Sequence, residues 1–151
     1  MQPHHGKVLV KSDICYLIEE ITVRCSSIIE NKKVILSLSC PLHTYWVVAS
    51  EIILSEVVEI LLKNMLELSD EAEVIEISIS PGDLFLIVDF LNRSKVTEAA
   101  KLHTFFADSE NMYHTSLYKA MELTIQDLGG EIIYDTSEDA GTFFRLKIKE
   151  S

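Results

Sequence analysis

Residues 50–69 read SEIILSEVVEILLKNMLELS, a stretch in which apolar side chains recur at the spacing of an amphipathic helix. Ser50 is a suitable N-cap for this helix, and Ser69 with Asp70 ends it. Asn64 falls on the apolar stripe, which also contains Ile53, Val57, Ile60, Leu61 and Leu68. A buried amide without a hydrogen-bond partner costs roughly 1–3 kcal/mol. Asn64 is therefore either a core amide satisfied by its neighbours or a side chain that faces a ligand cavity.

The sequence on either side of this helix predicts helices and strands in a mixed order. Lys11 and Ser12 lead into an amphipathic helix of about twenty residues, which ends near Asn31. The other predicted elements are strands at 34–39, 45–49, 74–80, 84–91, 131–134 and 142–149, an irregular segment at 92–111 with a candidate short helix from Val96 to Leu102, and a final helix from Tyr113 to Leu128. This order predicts an α/β (α+β) two-layer sandwich, in which three helices cover one face of a mixed sheet.

The composition is that of one ordinary globular domain. The chain has 151 residues, of which 48% are hydrophobic, and it is long enough to bury roughly two-thirds of its unfolded surface. We assign residues 12–150 to the domain and residues 1–11 to a disordered tail or to residues added by cloning. Charges interrupt the longest apolar runs well short of a membrane span, so we expect no direct membrane contact. Cys15, Cys25 and Cys40 lack metal-ligand spacing, and we interpret them as reduced thiols of a cytoplasmic protein.

The charge balance is strongly acidic. The formal net charge is −11 at pH 7 and the pI is about 4.8, which repels phosphate backbones and argues against a nucleic-acid partner. Between Glu51 and Asp83, nine carboxylates accompany the single cation Lys63. An anionic ligand near Asn64 would therefore require a bound cation.

Three short motifs resemble one known family. LGGEI at 128–132, followed by GTFFRL at 141–146, is similar to the closing hairpin of the ATP-binding (HATPase) domain of sensor histidine kinases, a branch of the GHKL ATPases. LHTFF at 102–106 resembles the phenylalanine-rich segment before their ATP lid, and VEILLKN at 58–64 resembles their helical N-box. The resemblance extends from about Ser12 to Lys149, and it implies a domain of two-component phosphorelay signalling.

The resemblance also assigns roles to individual residues. Asn64 matches the N-box asparagine that coordinates Mg²⁺ between the nucleotide phosphates, and Asp89 matches the aspartate that accepts a hydrogen bond from adenine. Asp89 interrupts the apolar strand 84–91, where the alternative role is to cap the following loop. Lys63 and Arg93 complete the candidate nucleotide-binding set. Arg93 lies in the segment that matches the lid region, where a solvated loop cation is the alternative. No catalytic residue is assigned.

Four departures from the family pattern affect the expected function. The chain has no glycine between Gly82 and Gly129, so both glycine-rich boxes carry side chains. Leu117 and Tyr118 are expected to occupy the space that the phosphates need. The N-box has Ile60 and Glu67 where the family often has a polar residue and a cation.

These departures predict a kinase-like domain in which ATP and Mg²⁺ binding is weak or lost, a pseudo-kinase or interaction module. Its expected partners are a response-regulator receiver or the dimerisation helices of a histidine kinase. The alternative is an active kinase domain that binds Mg-ATP with an atypical lid and phosphorylates a histidine on a separate dimerisation domain.

Overall fold

A computed structural model of the chain describes residues 9–40, 45–96 and 112–149, without the side chains of residues 112–115. The elements, in chain order, are β1 (Leu9–Asp13), α1 (Ile14–Arg24), α2 (Ser26–Lys32), β2 (Ile35–Ser39), β3 (Trp46–Ser50), α3 (Glu51–Leu68), β4 (Val74–Pro81), β5 (Phe85–Asn92), α4 (Met112–Asp127), β6 (Glu131–Ser137) and β7 (Gly141–Lys149). Most of the candidate short helix at 96–102, and the phenylalanine-rich segment, lie outside the described residues. None of the described helices is both long and apolar enough to span a membrane.

The strands form two sheets. The larger sheet has the order β2-β4-β5-β7-β6, with β2 parallel to β4 and the other neighbours antiparallel. The smaller sheet pairs β1 with β3 in antiparallel register. The predicted two-layer sandwich with a mixed sheet is confirmed, because the helices pack on one face of the larger sheet.

Side-chain alternation in β5 identifies the face of the sheet that meets the helices. Leu86, Val88, Phe90 and Asn92 are buried, whereas the residues between them are partly exposed. The three apolar members of the buried set share one hydrophobic core with α1, α3 and α4. This face is therefore the inner face of the sheet, and the alternate residues of β5 form its outer face.

Helix α3 runs through the centre of the helical layer. Its N-cap is Ser50, whose hydroxyl accepts a hydrogen bond from the backbone N–H of Ile53 at 3.4 Å. Ser69 ends the helix and donates its hydroxyl to the Met65 carbonyl at 2.8 Å. Both predicted ends of this helix are confirmed.

The N-terminal part differs from the prediction in two ways. The first strand, β1, includes residues 9–11, which were predicted to belong to the tail. Pairing with β3 holds them, and five residues are too short for their alternation to stand out in the sequence. The predicted twenty-residue helix is divided at Cys25, whose ψ of 6° departs from helical geometry. Nearby, the Thr22 hydroxyl donates to the Glu19 carbonyl at 2.7 Å, a local bond that competes with regular helix geometry.

A close backbone approach joins α4 to β7. Gly129 adopts a φ of 63°, in the left-handed region that favours glycine, and the Gly130 N–H donates to the Thr124 carbonyl at 3.1 Å. The Lys149 N–H donates in turn to the Leu128 carbonyl at 3.3 Å. The two glycines thus end the helix and hold the chain against the last strand.

Two of the three thiols are expected to be poorly reactive in the folded protein. Burial raises the pKa of Cys15 to about 12, with smaller contributions from Cys40, and burial also raises the pKa of Cys25. A raised pKa lowers the thiolate fraction at every pH below it, and the thiolate is the nucleophile. At about pH 8 we expect both thiols to react with iodoacetamide at least about tenfold more slowly than in denaturant. Equal rates by peptide mass spectrometry, with and without urea, would contradict this.

Candidate functional site

Asn64 is the most unusual polar side chain of the helical layer. It is 1% exposed, and neither its Nδ2 nor its Oδ1 has a hydrogen-bond partner in the described part of the chain. Native proteins rarely leave a buried amide unpaired, because the missing hydrogen bonds cost roughly 1–3 kcal/mol. Among the described residues, Asn64 is therefore not a core amide whose hydrogen bonds are satisfied by its neighbours.

Asn64 lines an open groove of about 960 Å³ on the helical side of the domain. Side chains of α3 from Glu51 to Glu67 contribute most of its lining, with further residues from α1, α2 and α4. All the described residues that line it belong to helices, and none belongs to β5. The groove therefore runs along the helical layer and does not reach the inner face of the sheet.

Three of the four cations among the described groove residues are already paired with carboxylates of α3, and the fourth, Lys32, donates to the Glu67 backbone carbonyl at 3.3 Å. Glu59 accepts Lys63 at 2.9 Å and Arg24 at 3.3 Å, and Glu56 accepts Lys119 at 2.6 Å. Lys63 adjoins Asn64 in sequence and lines the same groove, but its ammonium is committed to Glu59. Partly exposed ion pairs of this kind contribute about 0–1 kcal/mol each, so a ligand can displace them at small cost.

Helix α4 does not fill the groove in the way expected from the sequence. Leu117 is 2% exposed and belongs to the core, whereas Tyr118 is 61% exposed. The α4 residues that line the groove are Ser116 and Lys119, which lie three positions apart on one helix face. Leu117 and Tyr118, which were expected to occupy the space of the phosphates, are not among the described residues that line this groove.

Asp89 lies on the outer face of the larger sheet, away from Asn64. Its carboxylate accepts two hydrogen bonds from Arg145, at 2.7 Å from Nε and 3.1 Å from Nη2. The two residues are directly opposite each other in the β5–β7 pair. This bidentate pair raises the pKa of Arg145. Asp89 and Asn64 therefore do not share a site in this structure.

Arg93 is also directed to another part of the molecule. Its Nε donates to Glu76 Oε2 at 2.7 Å, and its side chain is 64% exposed. Arg93 does not appear among the described residues that line the groove. Of the four predicted nucleotide-binding residues, the structure brings together Asn64 and Lys63 and leaves Asp89 and Arg93 apart from them.

Asn92, which sequence reasoning missed, occupies the inner end of β5. It is 1% exposed, and its Nδ2 donates to Ser69 Oγ and to Glu73 Oε1, both at 3.0 Å. Its Oδ1 accepts the backbone N–H groups of Ser94 at 3.0 Å and Lys95 at 3.1 Å. Both amide hydrogens and the carbonyl oxygen are thus used within the protein. The sequence did contain a signal, because Asn92 continues the every-second-residue spacing of the apolar side chains on the inner face of β5.

The unpaired amide of Asn64 predicts an unusual effect of substitution. We expect Asn64→Leu to raise the free energy of unfolding by about 1 kcal/mol, because it removes two unsatisfied polar atoms from a buried position. For a domain of this size, the melting temperature should rise by about 2–4 °C. Calorimetry without ligand is the measurement. A lower melting temperature in Asn64→Leu would mean that the amide has hydrogen-bond partners in solution.

Comparison with known proteins gives a clear result for the fold. No protein-family model and no curated protein matches the sequence. Among solved structures, the nucleotide-free catalytic domain of histidine kinase ThkA matches with a TM-score of 0.80 at 17% identity, over 95% of this chain and 97% of that domain. Histidine kinase AdeS from Acinetobacter baumannii matches with a TM-score of 0.75 at 14% identity, over 96% of this chain and 68% of that one.

A third match shows a kinase of this fold in an assembly. The ThkA chain in complex with the response regulator protein TrrA matches with a TM-score of 0.77 at 19% identity, over 95% of this chain and 42% of the kinase. The protein described here therefore has the fold of the catalytic domain of sensor histidine kinases. The predicted resemblance is confirmed at the level of structure.

Proposed function

We propose that this chain is the ATP-binding-like domain of a sensor histidine kinase, that it acts in two-component phosphorelay signalling, and that its nucleotide binding is weak or lost. The observation that carries this proposal is that two polar side chains of β5 already have hydrogen-bond partners within the protein. Asn92 uses all its hydrogen-bonding groups within the protein, and Asp89 is paired with Arg145 on the outer face. Neither side chain is available to recognise adenine from within the groove.

The lining of the groove supports the same proposal. Its described lining comes from helices, and the inner face of β5 is closed by packed apolar side chains. A nucleotide in the groove would therefore meet charged helix side chains and no adenine-recognition group of β5. Under this proposal the domain acts by contact with a response-regulator receiver or with dimerisation helices, and the matched kinase with a bound response regulator supports such a partner.

Asn64 favours a second candidate function, which is Mg-ATP binding with an atypical lid. Its Oδ1 is a hard oxygen ligand of the kind Mg²⁺ prefers, and it is unpaired beside an open groove. The described residues contain no cluster of three or more His, Cys, Asp or Glu side chains suited to a metal. Asn64 would contribute one ligand to the cation, and a magnesium ion would offset the charge between the phosphates and α3.

Thermal melting with and without millimolar Mg-ATP separates the two candidates. A ligand that binds the folded state at about 100 times its Kd stabilises the fold by about 2.7 kcal/mol, which shifts the melting temperature by about 5–11 °C. We expect a shift below about 1 °C, because weak binding gives little stabilisation. Asn64→Ala is the matched variant. A large shift in the wild type that Asn64→Ala abolishes would establish the second candidate and contradict the first.

A further inference from the structure

We propose that the surface around Trp46 and Tyr16 is a docking site for a basic, amphipathic helix of a partner protein, which inserts a lysine or arginine side chain there. The surface adjoins the groove that contains Asn64, because Leu17 and Glu51 line both concavities. We call this surface the aromatic pocket, and define it by Lys11, Asp13, Tyr16, Trp46 and Glu51.

Five of the fourteen exposed large apolar side chains of the described residues lie on or beside the small sheet. Trp46 is 49% exposed and Tyr16 is 62% exposed, and Leu9, Val48 and Ile52 nearby are 47%, 49% and 80% exposed. Leu9 and Val48 lie on the same exposed face of the β1–β3 pair as Trp46. Exposed apolar patches of this kind mark interaction surfaces, and tryptophan and tyrosine are the residues that most often dominate binding energy.

The two aromatic side chains border a concavity of about 540 Å³. Its other lining groups include Lys11, Asp13 and Glu51. Glu51 and Leu17 also line the large groove along α3, so the two concavities adjoin each other. A partner that enters the aromatic pocket can therefore extend along the groove as a helix does.

Trp46 already receives a cation within the protein. Lys11 Nζ lies 5.1 Å from the centre of the Trp46 ring, within the range of a cation–π interaction. Asp13 and Glu51 line the same pocket, and Glu20 lines the adjoining groove. Asp13 Oδ1 already accepts the backbone N–H groups of Cys15 at 3.0 Å and Tyr16 at 3.4 Å, as the N-cap of α1. Aromatic faces beside carboxylates are complementary to a lysine or arginine side chain.

The charge of the chain selects the type of partner. With a net charge of −11, the domain attracts a basic protein segment and repels nucleic acid. The exposed apolar residues beside the pocket require an apolar face on that segment, so the occupant is an amphipathic helix with basic residues on its margin. A second copy of the same acidic chain lacks the required charge.

Trp46 is the only tryptophan in the sequence, so its fluorescence reports directly on this surface. The probe is a synthetic helical peptide with leucines on one face and arginines on the other, and the control peptide has glutamates in place of the arginines. We expect a saturable change in Trp46 emission with the arginine peptide only. Tyr16→Ala and Glu51→Gln should each weaken its binding by about tenfold, since both remove a group that contacts the occupant.

Two controls separate docking from general charge attraction. Glu138→Gln removes the same charge from the exposed turn between β6 and β7, and it should leave the affinity unchanged within about twofold. Tyr16 is largely exposed, so circular dichroism of Tyr16→Ala should match the wild type. Equal losses in Glu138→Gln and Glu51→Gln would overturn the proposal. So would a dimer in sedimentation equilibrium that Tyr16→Ala dissociates, because the surface would then bind a second copy.

Discussion

Gly130→Ala is expected to lower the free energy of unfolding by more than about 3 kcal/mol. A Cβ atom added at Gly130 would lie 1.7 Å from the Lys147 carbonyl oxygen and 2.7 Å from its carbonyl carbon. Both atoms belong to the backbone of β7, which is held by β5 on one side and β6 on the other. No rotamer change relieves such an overlap, so either the end of α4 or the edge of the sheet must move.

The measurement is thermal or urea unfolding, with Gly82→Ala as the matched control. A Cβ at Gly82 would lie 2.9 Å from Ile87 Cδ1, the mobile end of a side chain. We therefore expect Gly82→Ala to cost less than about 1 kcal/mol, and Gly130→Ala to melt at least about 6 °C below the wild type. If the two variants melted at the same temperature, the close approach of α4 and β7 would be absent in solution.

Asn92→Ala is expected to destabilise the domain by about 2–4 kcal/mol. The substitution removes a side chain that bonds to Ser69, Glu73 and two backbone N–H groups. Each of these partners would stay buried without a replacement hydrogen bond, and each would then cost the full desolvation penalty of its polar group. The turn after β5 should loosen as well, because its backbone N–H groups lose their acceptor.

Asn92→Asp is a sharper variant at the same position. It retains an acceptor for the two backbone N–H groups but places a second carboxylate beside Glu73 Oε1. Repulsion between the carboxylates should destabilise the variant at neutral pH, and the difference from wild type should shrink as the pH is lowered, because protonation of either carboxylate removes the repulsion. Urea unfolding at several pH values provides the measurement. A constant difference from wild type across that range would mean that Asn92 and Glu73 are not neighbours.

The two buried asparagines thus have opposite expected effects. Both are 1% exposed, yet removal of the amide should stabilise the fold at Asn64 and destabilise it at Asn92. The difference lies in partners, since Asn92 has four hydrogen bonds and Asn64 has none among the described residues. The fold therefore carries the unpaired amide of Asn64 at a cost in stability.

Periodicity predicted most of the elements because burial imposes it. The helical stripe of α3, its Ser50 cap and the strands of the larger sheet were all expected from residue spacing. The predicted alternation also placed Asp89 on the same face of β5 as Phe85, Ile87 and Leu91. It could not tell which face of β5 meets the helices, since Leu86, Val88 and Phe90 make the other face equally apolar.

The site depended on features that sequence spacing does not encode. The Asp89–Arg145 pair joins residues 56 positions apart, and the missing partners of Asn64 depend on how α1, α2 and α4 pack around α3. Helix spacing also left open which α4 side chains enter the groove. Only the packed chain shows that Ser116 and Lys119 do so, while Tyr118 is exposed.

The position of β7 between β5 and β6 has a consequence for synthesis on the ribosome. Residues 141–149 are the last of the described strands to be made, yet they join β6 to the rest of the larger sheet. Until they emerge, one edge of β5 has no neighbour, and exposed edges favour pairing with other nascent chains. This sheet therefore closes only when translation of the domain is nearly complete.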